Sequence, residues 1–288
     1  MRAGPGPTVR RRQLGNILRQ YRTEAGKSVQ QVAHELLCSP AKISRIETGQ
    51  RSPTLRDVRD LANIYRVTEE SRERLMAMAQ ESRDRGWWQS LNLPPALETL
   101  IGMEQAATQI REFEIVVLPG LLQTREYADA LVGMWLPDDP TRRQAAVDVR
   151  MRRQRILKNE HPPELSVVLD EAALRREVGG RTVMRDQLTH LARLIDATIV
   201  HLRILPFSAG AHVGMLNGFT LLEFDQEASA ADEPAIPAVV YVEYQDNTEY
   251  FDQPEEVGQY IRDFALLQGQ CLSPDDSAIL LASLLADH

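Results

Sequence analysis

Apolar residues near the start of the chain recur with a helical period. Leu14, Ile17, Leu18 and Tyr21 stand at i, i+3, i+4 and i+7, the stripe of one amphipathic helix, and Gly26 is placed to stop it. Ser28 is a good N-cap for a second helix whose inward face is Val29, Val32, Ala33 and Leu36. Only Leu37 and Cys38 connect it to a second cap, Ser39, and to a proline at the first helical position, Pro40. Ile43 and Ile46 point to the same core, and Gly49 is placed to end that helix in a left-handed conformation. Pro53 and Thr54 open a fourth helix with Leu55, Val58, Leu61, Ala62 and Tyr65 inward. A fifth helix, with Leu75, Met76, Met78 and Ala79, runs from Glu70 to Arg85, so residues 69–86 read as a linking helix.

Helices joined by so tight a turn must cross steeply, with a small residue where their backbones approach, and Ala33 is placed for that contact. Residues 12–68 therefore read as a helix-turn-helix DNA-binding domain, behind a flexible basic tail at residues 1–11. The helix at 40–48 projects Ala41, Lys42, Ser44 and Arg45 away from Ile43 and Ile46, as a recognition helix does in the major groove. Lys42 and Arg45 suit guanine O6 and N7, Ser44 suits any base or phosphate, and the Ala41 methyl suits a thymine methyl. Phosphate contacts are expected from Lys27, Ser28, Gln30, Gln31, Ser39, Gln50 and Arg51. Arg10, Arg11 and Arg12 add attraction that is independent of base sequence.

Trp87, Trp88, Pro94 and Pro95 mark a boundary, with the paired tryptophans expected to anchor one domain against another. Beyond it, residues 87–288 alternate helical and extended patterns without a repeat. Helices are expected at 96–112, 125–134, 140–159, after Glu171, at 183–195, near 254–268 and at 274–286. Strands are expected at 115–117, 165–169, 200–205, 219–224 and 239–244, and 225–237 reads as a mobile loop. No glycine fingerprint follows a strand, so the fold class is an N-terminal all-α helix-turn-helix domain followed by an α+β C-terminal domain.

Composition sharpens this division. The 288 residues suffice for two domains, and the whole-chain charge of −8 would discourage a nucleic-acid partner. Residues 1–86, however, hold 17 basic and 10 acidic side chains, a net +7, while residues 87–288 hold 16 and 31, a net −15. A basic head on an acidic body places the DNA contact at the head. No apolar run reaches the length of a membrane span and no signal peptide opens the chain, so a cytoplasmic, nucleoid-associated protein without a membrane partner is expected. Cys38 and Cys271 lie far apart and read as reduced thiols.

The body offers little chemistry to this reading. Arg142, Arg143, Arg150, Arg152, Arg153 and Arg155 share one helix that suits phosphate, but on a −15 body they are expected to pair with their own domain's acids. His161, His190, His201 and His212 lack metal-ligand spacing, so no metal or cofactor is expected, and no catalytic motif is present. Glu171, Arg175, Tyr241 and Glu243 are the candidates for a pocket or partner face, with Tyr241 and Glu243 on one side of a strand. The body then dimerises, senses a signal or receives a partner protein, as in antitoxin-like pairs. The alternative is a nucleotide-using enzyme that the head localises or represses.

Two stretches resemble known families. Ser28-Val29-Gln30-Gln31-Val32-Ala33 followed by Ser39-Pro40-Ala41-Lys42-Ile43-Ser44-Arg45-Ile46-Glu47-Thr48-Gly49-Gln50-Arg51-Ser52-Pro53 resembles the Xre type of helix-turn-helix regulator, relatives of the lambda repressor head. That resemblance implies a structural Glu47, bonding within its domain, and not a base reader. Leu118-Pro119-Gly120-Leu121-Leu122-Gln123-Thr124, Glu126-Tyr127-Ala128, Arg153-Gln154, Leu169-Asp170-Glu171, Leu174-Arg175 and Tyr241-Val242-Glu243 resemble the C-terminal domain of unknown function in actinobacterial, WhiJ-like Xre regulators. Thirty arginines against three lysines suit a GC-rich genome. The function expected is a sequence-specific transcription regulator, acting as a homodimer on a pseudo-palindromic DNA operator. The second resemblance implies a partner in a small protein encoded by an adjacent gene.

Overall fold

The computed structural model describes residues 6–82, 86–91, 93–225, 238–244 and 247–288. They form two compact units, the first running to Ala106 and the second built from Ala107–Glu223 and Ala238–His288. The all-α head followed by an α+β domain is the observed fold.

The first unit contains α1 (Pro7–Glu24), α2 (Val29–Glu35), α3 (Pro40–Glu47), α4 (Leu55–Tyr65), α5 (Glu69–Glu81), a 3-10 turn at Trp87–Ser90 and α6 (Pro95–Glu104). Each cap has a physical cause. Ser28 and Gln31 close a reciprocal capping box on α2, Ser39 accepts from Lys42 N on α3, and Thr54 and Asp57 close a second box on α4. Such caps contribute about 1 kcal/mol each. Leu14, Leu18, Val32, Ala33, Ile43, Ile46, Val58, Leu61 and Tyr65 share one core with Leu75, Met78 and Ala79. Gly49 ends α3 at φ +68°, a conformation that costs a β-carbon-bearing residue energy.

Three expectations change here. The tail assigned to residues 1–11 is helical from Pro7 onward, because Thr8 and Val9 are buried and Pro7 starts α1 without needing an N–H partner. The linking helix assigned to 69–86 is α5, which ends at Glu81 and supplies Leu75, Met78 and Ala79 to the core of the head. The division expected near residue 86 falls instead at Ala106. Helix α6 packs along α1, and Gly102 lies so close to Thr8 that a β-carbon would overlap it, so this helix belongs to the head. Trp87 and Trp88, set edge to face at 5.8 Å, lie within that same unit.

The second unit is a mixed sheet with helices. Its strands are β1 (Gln109–Glu114), β2 (Glu164–Asp170), β3 (His201–Leu205), β4 (Phe219–Glu223), β5 (Ala238–Glu243) and β6 (Thr248–Phe251), in the order β3-β2-β1-β4-β5-β6. β1, β2 and β3 run parallel, whereas β4, β5 and β6 join antiparallel on the other side of β1. The helices are α7 (Arg125–Trp135), α8 (Pro140–Arg153), α9 (Glu171–Arg175), α10 (Arg181–Asp196), α11 (Pro254–Gln270) and α12 (Pro274–Asp287). One sheet face carries Phe113, Val168, Leu221, Val240 and Val242 into a core with Val257, Phe264 and Leu267 of α11. The outer edge of β3 is closed, since Leu272 N donates to Ile204 O at 2.9 Å and Ile204 N donates to Ser277 Oγ at 3.1 Å.

The helix expected over 96–112 stops at Glu104, and the strand expected at 115–117 is instead β1 at Gln109–Glu114. The loop expected at 225–237 lies, beyond Asp225, outside the described residues. Among the described residues no helix is long and apolar enough to cross a membrane, and no group of His, Cys, Asp and Glu is arranged to hold a metal ion.

Candidate nucleic-acid interface

Helix α3 is held from below and exposed above. Ile43, Ile46 and Glu47 are buried, while Ala41, Ser44 and Arg45 face solvent on the opposite side. Four residues were expected to read bases, and the structure leaves three of them available. The fourth, Lys42, is half-buried, with its Nζ 2.5 Å from Asp57 Oδ1 on α4. Asp57 also accepts from Thr54 N at 3.0 Å, so Lys42 ties α3 to the start of α4. Burial alone would push the Asp57 carboxyl up, but the Lys42 and Thr54 hydrogen bonds outweigh it and hold the group below the ordinary carboxylate range. Arg45 stays exposed, with its Nε donating to Ala41 O at 3.2 Å one turn back.

The expected phosphate contacts divide in the same way. Gln30, Gln50 and Arg51 are exposed, and Arg51 is set by its own N–H donating to Arg45 O at 2.9 Å. Ser28, Gln31 and Ser39 are exposed but use their side-chain oxygens as helix caps. Lys27 lies 2.5 Å from Glu35. Arg11 Nε donates to Gly49 O at 2.6 Å, so α1 braces the loop that carries Gln50 and Arg51. Sequence reasoning assigned Arg11 to a mobile tail and missed this contact; Pro7 at a helix start was the available signal.

Beneath the exposed face lies an ion pair that fixes the orientation of α3. Arg22 Nε donates to Glu47 Oε1 at 2.7 Å and Arg22 Nη2 to Oε2 at 3.0 Å, while Arg22 Nη1 donates to Lys27 O at 2.8 Å. The guanidinium joins α1, the last turn of α3 and the loop before α2. Glu47 is thus buried and committed to its own domain.

The residues suggested for a site in the body do not converge. Glu171 caps off a local network, accepting from Arg175 Nε at 2.6 Å and from Phe207 N at 2.9 Å. Tyr241 donates to Glu243 Oε2 at 3.0 Å on β5, which β1 and β4 separate from β2 in the sheet order. Another grouping forms instead. The register aligns Val167, Glu112, Thr220 and Tyr241 across one sheet face, and Glu114 follows Glu112 on that side. Arg150 of α8 stands over this face, donating to Gln123 Oε1 at 2.8 Å, and Arg153 lies against Gly120. Gln123 Nε2 donates to Leu118 O at 2.7 Å, Gln154 Nε2 to Gln123 O at 2.7 Å, and Gln187 Nε2 to Leu122 O at 2.8 Å. The Leu118–Thr124 segment is therefore a clamped loop that positions Arg150. Of the other arginines of this helix, Arg143 Nε meets Asp129 Oδ1 at 2.6 Å and Arg142 Nε lies 3.9 Å from Asp139 Oδ2, while Asp148 of α8 meets Arg125 at 2.8 Å.

Burial, reinforced by Glu112 and Glu243 and opposed by Arg150, raises the Glu114 carboxyl well above its ordinary range. A raised value means that the folded chain holds this proton more tightly than the unfolded chain does. The group then costs stability as pH climbs from the unfolded carboxylate range toward the folded value. Glu114→Gln is expected to raise the melting temperature, more at pH 8 than at pH 5. Equal gains at the two pH values, read by calorimetry, would remove titration as the cause.

Residues 13–75 match a helix-turn-helix domain, and residues 97–283 match the domain of unknown function DUF5753. The second match spans more than half of the chain. The chain belongs to the DUF5753 family. No curated protein and no solved structure matches it. The DUF5753 match begins inside α6, whereas the compact acidic unit begins at Ala107. The first helix of the DUF5753 region is thus a structural part of the helix-turn-helix head. The Leu118–Thr124 clamp, Arg150 and the Glu112–Glu114 strand all lie within the DUF5753 region.

Proposed function

We propose that this protein is a sequence-specific transcriptional regulator of the Xre type, which binds a pseudo-palindromic operator as a homodimer with α3 in the major groove. The observation that carries the reading is the exposed face of α3, where Ala41, Ser44 and Arg45 stand clear of the core that holds Ile43 and Ile46. Arg45 is the specificity residue, with guanine as its natural target. Gln30, Gln50 and Arg51 grip phosphates and set the register. Two copies place their recognition helices about 34 Å apart on one side of the duplex. The acidic domain is regulatory and not catalytic, and the −15 charge over residues 87–288 repels DNA, which leaves the basic head as the contact. The arginine-rich composition and the Xre-like motifs support an actinobacterial source.

Selection from random duplexes, followed by fluorescence anisotropy, tests this reading. Arg45→Ala is expected to weaken the selected site by about 1–3 kcal/mol and to relax preference at one base position. Arg51→Ala is expected to weaken all duplexes alike and to lower the slope of affinity against salt by about 1. Unchanged base preference in Arg45→Ala would remove that residue from the base readers.

A further inference from the structure

The connection between β3 and β4 has an unusual composition for this domain. From Ile204 to Leu222 it contains no Asp, Glu, Lys or Arg, in a region that carries 31 acids and 16 bases over residues 87–288. Four of the twelve large apolar side chains exposed among the described residues lie here: Phe207 at 58%, Val213 at 52%, Met215 at 61% and Leu216 at 89%.

This loop is pinned, so the exposure is built in. Phe207 N donates to Glu171 Oε2 at 2.9 Å, and Gly210 N returns to Phe207 O at 3.2 Å. The His212 side chain, 7% exposed, places its Nε2 3.5 Å from Asp170 Oδ2 at the end of β2, and its ring meets Phe113 edge to face at 5.8 Å. Gly214 is buried flat against the same Phe113, where a β-carbon would overlap the ring. Anchors at both Phe207 and His212–Gly214 hold Val213, Met215 and Leu216 outward on a fixed frame. Exposing such a group to water is unfavourable, at about 25 cal/mol per Å² of apolar surface, unless something covers it.

We propose that the Pro206–Asn217 loop is the surface through which two copies of this chain associate. Charge selects the occupant. A basic partner would be drawn to the acidic faces of the domain, not to its uncharged stretch. A second copy carries the same negative excess and is repelled wherever those faces meet, so like-charged bodies join best where neither presents charge and both present apolar side chains. The contact is self-complementary, as a two-fold interface requires. The inference deepens the homodimer in the proposed function, and each can fail without the other.

Sedimentation velocity on the full chain tests it. The wild type is expected at twice 32.5 kDa, and Met215→Asp/Leu216→Asp at the single-chain mass with unchanged circular dichroism. Added salt should leave the wild-type dimer intact or tighten it, because screening relieves repulsion between the bodies. Val213→Ser/Leu216→Ser, which adds no charge, should loosen the same equilibrium and covers the case in which the aspartates disturb folding. A wild type at the single-chain mass, a dimer that survives both double variants, or one that dissociates in salt would overturn the proposal. Low-salt binding of the wild type and the aspartate variant to a duplex carrying one half-site reports on the head alone. Loss there would count against DNA binding and leave the dimer result standing.

Discussion

Replacing Gly15 with alanine is expected to destabilise the head and weaken DNA binding, although alanine is the better helix former. A β-carbon at this position would sit 2.5 Å from Ile46 O and 2.7 Å from Glu47 O, both backbone atoms at the end of α3. Backbone cannot rotate away as a side chain can, so α1 and α3 must separate. The helix-propensity gain of about 1 kcal/mol is opposed by overpacking that typically costs about 1–3 kcal/mol and sometimes more. Because the crowded atoms belong to the last turn of α3, the displacement reaches Arg45 and the Gln50–Arg51 loop directly. Amide hydrogen exchange in α1 and α3 reads the head separately, which matters because a two-unit chain does not unfold in one step. Gly269→Ala on α11, where a β-carbon meets nothing within 4 Å, serves as the control and is expected to be neutral or slightly stabilising. Unaltered exchange and affinity in Gly15→Ala would show that the two helices tolerate the extra atom.

The head was legible because its local signals agree. Apolar period, capping residues and turn residues all point to the same helices from α2 to α4, and the buried set matches the expected stripe from Leu14 through Tyr65. What escaped notice depends on contacts between residues far apart in sequence. Lys42 reads as a base contact on its own helix face, and its pairing with Asp57 fifteen positions later follows only from how α3 meets α4. Strand β1 was hidden for a related reason. Glu112 and Glu114 stand where apolar residues would announce a buried face, and Arg150, on another element, opposes only part of the rise that burial imposes on the Glu114 carboxyl. The preceding stretch, rich in helix formers, then drew the expected helix onward through Glu112. Helix α6 raised the opposite difficulty. Its residues read correctly as a helix, but nothing local to them reveals that Gly102 packs on Thr8 and so assigns α6 to the head.

Glu47→Ala is expected to have the larger effect, unfolding much of the head at neutral pH. The substitution leaves the Arg22 guanidinium largely buried with only the Lys27 carbonyl as acceptor, after two charge-assisted hydrogen bonds of 2.7 and 3.0 Å are lost. Removing one partner of a buried ion pair costs about 3–5 kcal/mol, a large share of a typical domain's stability. DNA affinity should fall in proportion to the folded fraction, while base preference is unchanged, because Glu47 itself faces the core. Its pattern thereby differs from that of Arg45→Ala, which alters preference and leaves stability alone. Replacing both partners, Arg22→Met with Glu47→Leu, removes the stranded charge and should recover most of the lost stability. Recovery would also restore binding to the selected site, because neither residue touches DNA in this arrangement. A double variant as unstable as Glu47→Ala would place the stabilisation in the geometry of the pair, which holds α1, α3 and the Lys27 loop together, and not in avoidance of an unpaired charge. Hydrogen exchange across α1 to α4, measured on the three full-length variants beside the wild type, separates the two outcomes.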